Sequence, residues 1–194
     1  MKLLATLVFL GVTILGYGQN SLETRIASAK KAMEENPAPS GFSWEYVSEL
    51  NAAFLKPETW VVSRKMAGQM FVLAISEEDP GTNGRFQHGF TVMSANLNAD
   101  SGDVVEYAKQ ARDHLVTTYP VITQKDFDLG PFKAFNCLSV MRKERIGMFS
   151  LTLANPKTRT VYLLTFEAPV ADYDRYLGSL GNAMIDNLLL DDEL

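Results

Sequence analysis

Cysteine and histidine are scarce in this sequence, and it has no apolar run as long as the ~20 residues that a membrane-spanning helix needs. The one cysteine, Cys137, excludes an intrachain disulfide. Its apolar surroundings, AFNCLSVM, favour a buried strand thiol over a reactive one, although pairing with another chain stays open. Basic residues are also too few to balance the acidic ones, 18 against 23. The net charge of -5 argues against nucleic acid as a partner.

The first residues have the pattern of a secretory signal peptide. Lys2 precedes an apolar core from Leu3 to Leu15, and the small residues Gly16 and Gly18 follow it. We therefore predict a signal peptide over residues 1–18, cut after Gly18. The alternative, a membrane anchor, is disfavoured because the apolar core is too short. No cysteine follows closely enough to be acylated, so we expect a soluble protein that is periplasmic or secreted.

The rest of the chain is long enough for one domain, preceded by a short helix. Asn20 and Glu23 form a capping box at the start of a helix-favouring stretch with a thin apolar face. The segment PAPSG, from Pro37 to Gly41, interrupts any helix. We therefore predict a helix or spacer over 19–41, one domain over 42–190 and a solvated acidic tail over 191–194.

Within the domain, strand patterns and helix patterns alternate. The Val104–Val116 stretch has apolar residues at intervals of three and four, Ser101 or Asp103 can cap it, and Pro120 ends it. A closing helix is predicted from Asp172 to Leu190. The first three predicted strands, 52–64, 69–76 and 86–96, are expected to form an antiparallel meander. The other predicted strands lie in 120–129, 131–143, 146–155 and 159–169. This order implies an α+β fold, an antiparallel sheet of about seven strands covered by helices.

Three segments resemble the PsbP-like fold family, and in particular its bacterial exported, DcrB-type members. They are AFLKPETWVV (Ala53 to Val62), GFTVMSANLNAD (Gly89 to Asp100) and VYLLTFEAP (Val161 to Pro169). The resemblance covers almost the whole domain and implies an α/β/α sandwich. It also implies a non-enzymatic role in binding, assembly or chaperoning, without identifying a partner.

The residues that most often carry chemistry form no recognisable motif. His88 and His114 have no ligand at metal-site spacing beside them, and Glu77, Glu78 and Asp79 read as a solvated turn without EF-hand spacing. Ser179 lies in a predicted helix rather than at a nucleophile elbow. We therefore predict no catalytic residue, no cofactor and no metal ligand.

The leading hypothesis is thus an exported, non-catalytic binding or assembly module that contacts another envelope or secreted protein, without stable membrane insertion. Trp44 and Trp60 are expected in the core or at its margin, and the basic segment Arg142 to Gly147 is expected at a hairpin end. The alternative is a carrier of a small apolar ligand held between helices and sheet. Its motivation is a set of apolar strand residues: Phe71, Phe90, Met93, Met141 and Phe149. An enzyme ranks third and would require His88 to cluster with carboxylates in a cleft.

Overall fold

The computed structural model describes residues 19–67, 70–81, 86–141 and 145–190, so the predicted signal peptide and acidic tail lie outside the described residues. The strands are β1 (Phe42–Val47), β2 (Ala52–Pro57), β3 (Val61–Ala67), β4 (Met70–Ser76), β5 (Gly89–Asn96), β6 (Val121–Leu129), β7 (Phe132–Met141), β8 (Ile146–Asn155), β9 (Thr160–Pro169) and β10 (Leu188–Leu190). The helices are α1 (Gln19–Glu35), α2 (Val104–Thr118), α3 (Tyr173–Tyr176) and α4 (Asn182–Asp186), with a π-helical segment (Leu177–Gly181) between the last two. We call 173–186 the closing helix.

Seven strands form one antiparallel sheet in the order β3-β4-β5-β9-β8-β7-β6. This confirms the predicted α+β fold with a seven-stranded antiparallel sheet. A second sheet, in the order β1-β2-β10, has three strands and was not predicted. The turn between β2 and β3 carries the chain from one sheet to the other, and in it Trp60 N–H donates to the Pro57 carbonyl at 3.0 Å.

One face of the large sheet packs against the small sheet and the closing helix, and we call it the sandwich face. Its side chains are large and apolar, and several are fully buried: Phe90, Leu153, Tyr162, Leu164 and Phe166. The Phe54 ring of the small sheet meets the Phe90 ring edge to face, with centroids 6.2 Å apart. Burial of aromatic side chains between the two sheets makes this the main core of the domain.

The opposite face lies under α2, and we call it the α2 face. Asp103 caps this helix, because its Oδ1 accepts from the backbone N–H groups of Val105 and Glu106 at 2.8 and 2.9 Å. The helix ends at Thr118, before Pro120, as predicted. A smaller apolar cluster joins its first turns to the sheet: Ala95, Leu97, Val104, Ala108, Phe135, Ala154 and Val161.

The C-terminal end of the chain departs from the prediction. The closing helix stops at Asp186 instead of continuing to Leu190, and Leu188–Leu190 pair antiparallel with Phe54–Ala52 of β2. Asp172 occupies the N-cap position but makes no capping hydrogen bond, and its carboxylate pairs with Arg175 at 3.3 Å instead. A run of three leucines suits either structure, and the open edge of β2 supplies hydrogen bonds that favour the strand.

The N-terminal helix is present as predicted, and Ala29 on it is fully buried. Trp60 is buried, whereas Trp44 is half-buried and donates its indole N–H to the Asn36 carbonyl at 2.6 Å. These positions agree with the prediction that both tryptophans lie in the core or at its margin. Within the described ranges, no helix combines the length and the apolar character that crossing a bilayer requires.

Candidate functional site

Two glutamates and a histidine converge where β4 ends and β5 begins. Glu77 and Glu78 follow Ser76, the last residue of β4, and His88 precedes Gly89, the first residue of β5. Antiparallel pairing places Ser76 opposite Gly89, and Glu77 N–H donates to the His88 carbonyl at 3.1 Å. The two ends of the β4–β5 connection therefore lie side by side, and their side chains meet at one end of the sheet.

The three side chains meet around one ring nitrogen. His88 Nδ1 lies 2.8 Å from Glu78 Oε1 and 3.2 Å from Glu77 Oε2. One ligand atom from each residue lies within 4.8 Å of the others. Ionised carboxylates only accept hydrogen bonds, so a hydrogen bond from the ring to either of them requires the N–H to be on Nδ1.

Glu78 is held in place on both of its oxygens. While Oε1 contacts the His88 ring, Oε2 accepts from the backbone N–H groups of Gln87 and His88, each at 3.2 Å. Burial opposes ionisation of Glu78, but the hydrogen bonds from the His88 side chain and from the backbone together outweigh it, so the pKa of Glu78 is lowered. The carboxylate is therefore ionised and fixed in orientation at neutral pH.

The closing helix contributes the fourth side chain, Tyr176. Its hydroxyl donates to Glu77 Oε2 at 2.8 Å, and its ring stacks on the His88 ring with centroids 4.1 Å apart. The Arg175 guanidinium lies 4.9 Å from the centroid of the same tyrosine ring. The hydrogen bond to Glu77, aided by burial, raises the pKa of Tyr176, so the hydroxyl remains a donor. We call Glu77, Glu78, His88 and Tyr176 the loop-end site.

The second ring nitrogen of His88 is closed off. The side chain is only 13% exposed, and Nε2 is buried with no hydrogen-bond partner among the residues that the structure describes. Nδ1 is held between two carboxylates, and Nε2 is buried. The arrangement provides a fixed, partly exposed polar cluster rather than an open general acid or base.

The sequence alone did not indicate that these residues contact one another. His88 was assigned to a strand and lies just before it, and Glu77 and Glu78 were assigned to a solvated turn, although they contact His88. Asp79 does form a turn, since its Oδ1 accepts from Gly81 N–H at 2.9 Å. The predicted antiparallel meander could have indicated this contact, because the two ends of the connection between paired antiparallel strands must be neighbours.

The other candidate residues stay apart from the loop-end site. His114 is exposed on α2, and the Ser179 hydroxyl donates to the Arg175 carbonyl at 2.7 Å within the π-helical segment. Cys137 is fully buried in β7 on the α2 face, which confirms the predicted strand thiol. Burial raises the pKa of this thiol, although Arg112 and Ser150 oppose the shift. An inert, protonated thiol follows.

The residues that suggested an apolar carrier belong largely to the core. Phe90 is fully buried in the main core, and Phe71 and Phe149 pack against it. A separate groove lies between Phe86 and the outer strands β3 to β5, but its volume is about 80 Å³. Drug-sized ligands occupy sites of about 300 Å³ or more. This groove gives the carrier hypothesis no support.

Comparison with solved structures identifies the class of fold. The solution structure of cyanobacterial PsbP (CyanoP) from Synechocystis sp. PCC 6803 matches with a TM-score of 0.55 and 9% identity, covering 80% of this chain and 95% of that one. The chain thus adopts the PsbP-like fold, as its sequence resemblance predicted.

Two weaker structural matches are the Saccharomyces cerevisiae Ran-binding protein Mog1p and a Bacteroides thetaiotaomicron protein. The first has a TM-score of 0.48 and 8% identity over 77% of this chain and 95% of that one. The second has a TM-score of 0.44 and 12% identity over 72% of this chain and 45% of that one. No protein-family model matches the sequence, and no curated protein matches it.

Proposed function

We propose that the chain is an exported, non-catalytic binding module that contacts a protein partner through the loop end of its sheet. The observation that carries the proposal is the ordered stack of Arg175, Tyr176 and His88 beside two carboxylates. Arg175 is 70% exposed and Glu77 46% exposed, so the stack offers charge of both signs to solvent. Fixed polar and aromatic groups on connecting segments of a rigid sheet are typical of recognition surfaces.

The histidine cluster is the specific observation that favours an enzyme instead, and its geometry argues against one. A general base needs a nitrogen within hydrogen-bond reach of a substrate proton. In His88 the carboxylates hold Nδ1, while Nε2 is buried. Two backbone N–H groups hold Glu78 in one orientation, which suits a residue that positions His88 better than one that transfers protons to a substrate.

Export rests on the leader pattern of residues 1–18. An apolar core after Lys2, ending in Gly16 and Gly18, is the pattern of a cleaved secretory signal. We expect protein recovered from the periplasm or the medium to begin at Gln19. Recovery from the cytoplasm with Met1 or Lys2 still in place would overturn export while leaving the binding role open.

A photoactivatable residue placed at Asp174 tests the contact. Asp174 is exposed beside the loop-end site, and the matched control is Lys109, which is exposed on α2. Irradiation of cells should give a discrete adduct with one protein from position 174 and none from position 109. The substitution Arg175→Ala should weaken that adduct. Equal adducts at both positions, or none at position 174, would contradict the proposed contact surface.

A further inference from the structure

His88 Nδ1 is the point at which two carboxylates meet. Glu78 Oε1 and Glu77 Oε2 approach it to 2.8 and 3.2 Å. One ring nitrogen carries at most one proton, and a single N–H cannot point well at two acceptors. Three atoms of metal-ligand type therefore converge on one position.

The charge at this position is also unbalanced. In the part of the chain that the structure describes, neither Glu77 nor Glu78 pairs with a lysine or arginine. Two carboxylates thus face each other across one imidazole nitrogen.

We infer that the loop-end site binds one divalent transition-metal ion of the zinc type, through Glu77 Oε2, Glu78 Oε1 and His88 Nδ1. One imidazole nitrogen with two carboxylate oxygens is a donor set suited to zinc and leaves a fourth position for water. Calcium and magnesium prefer sites built from oxygen alone. The metal replaces the proton on Nδ1, and the neutral ring then carries its proton on Nε2.

The spacing of the three atoms needs little adjustment. Bond lengths of about 2.0 to 2.2 Å and tetrahedral angles separate neighbouring zinc ligands by about 3.4 Å. The contacts of 2.8 and 3.2 Å at Nδ1 open to that value with small side-chain rotations. All three ligand atoms lie within 4.8 Å of one another, so side-chain rotations on this backbone can bring them to one ion.

The outer contacts of the ligands fit the same role. Tyr176 donates to Glu77 and stacks on the His88 ring, while backbone N–H groups hold the oxygen of Glu78 that does not face Nδ1. Metal-binding carboxylates are usually oriented by such second hydrogen bonds, and losing one typically weakens metal binding about 10-fold to 100-fold.

Titration of the purified, untagged protein with zinc chloride tests the inference, with binding followed by calorimetry. We expect one ion per chain, at least 100-fold weaker binding in His88→Ala, and unchanged binding in the matched control His114→Ala. Glu77→Gln keeps the size of the side chain and provides a second variant if His88→Ala fails to fold. Absence of saturable binding, or equal loss in both histidine variants, would overturn the site.

A second measurement distinguishes zinc coordination by His88 Nδ1 from a general attraction of the ion to the negative charge of the two glutamates. Long-range proton–nitrogen NMR should show the His88 proton on Nδ1 without metal and on Nε2 with zinc. Tyr176→Phe should weaken zinc binding about 10-fold because Glu77 loses its donor. A ring whose tautomer does not change on zinc addition contradicts coordination through Nδ1. These measurements use the isolated protein, so their failure is distinguishable from failure of the partner contact.

Discussion

The two faces of the seven-stranded sheet are built from different side chains. Phe166 and Leu151 point to the sandwich face, which large apolar groups fill. Their neighbours in sequence, Glu167 and Thr152, point to the α2 face, where buried polar side chains lie among apolar ones. Thr152 is fully buried, and its hydroxyl has no hydrogen-bond partner among the described residues. The comparison teaches that hydrophobic burial on the sandwich face provides most of the stability, and that the α2 face tolerates polar groups.

The largest effect that separates the faces is expected from Phe166→Ala. Phe166 is fully buried and lies with its ring centroid 6.3 Å from that of Tyr173. Its removal leaves a cavity between the sheet and the closing helix and should cost about 3–5 kcal/mol of unfolding free energy. Urea denaturation measures the loss, and Phe166→Leu should lose much less. A loss below about 1 kcal/mol for the alanine variant would mean that the sandwich face is not the main core.

On the α2 face, Thr152→Val should instead stabilise the protein. The substitution removes a buried hydroxyl that has no partner among the described residues, so we expect the free energy of unfolding to rise by about 1 kcal/mol. The matched control is Thr160→Val, because Thr160 is also buried but its hydroxyl donates to Asn96 Oδ1 at 2.9 Å. The control should lose about 1 kcal/mol. Equal losses in both variants would show that the two hydroxyls are equally well satisfied.

The smallest change in stability is expected from Glu167→Gln, and this change depends on pH. Burial raises the pKa of Glu167, so the folded state favours its protonated form. Its contribution to stability is complete below the unfolded-state pKa of about 4.3 and is lost as the pH rises through the folded-state pKa. The glutamine variant should therefore melt at a higher temperature than wild type at pH 7 and show no gain at pH 4.

The exposed control for this pH dependence is Glu58→Gln. Thermal melts of both variants across the same pH range separate burial from a change in net charge. If Glu58→Gln and Glu167→Gln gave the same gain at pH 7, the cause would be the overall negative charge of the chain rather than the position of Glu167.

Most strands, α2 and its Asp103 cap could be predicted because their signals are local. Alternating or continuous apolar runs mark the strands, and a carboxylate before a period of three and four marks the helix start. The small sheet could not be predicted in this way. Leu188–Leu190 continues the apolar stripe of the closing helix in sequence, and only pairing with β2, far away in the chain, makes it a strand. Tertiary contacts decided the structure there.

The candidate site could be predicted only in part, because some of its contacts are local in the chain and one is not. Glu77, Glu78 and His88 sit at the two ends of one connection, so the predicted antiparallel meander already implied that they are neighbours. We interpreted the two glutamates as turn residues and His88 as a strand residue without combining the two ends of the connection. Tyr176 carried no local signal, because its partner Glu77 lies 99 residues earlier in the chain. Its role depends on where the closing helix packs.

That separation of 99 residues between Glu77 and Tyr176 has a consequence for synthesis on the ribosome. The β4–β5 connection emerges first, and the tyrosine that stacks on His88 emerges 99 residues after Glu77. A nascent or truncated chain that ends before the closing helix has both carboxylates and the imidazole but lacks the ring and hydroxyl that hold them. The complete arrangement around His88 therefore forms only after the closing helix has been synthesised and has packed against the sheet.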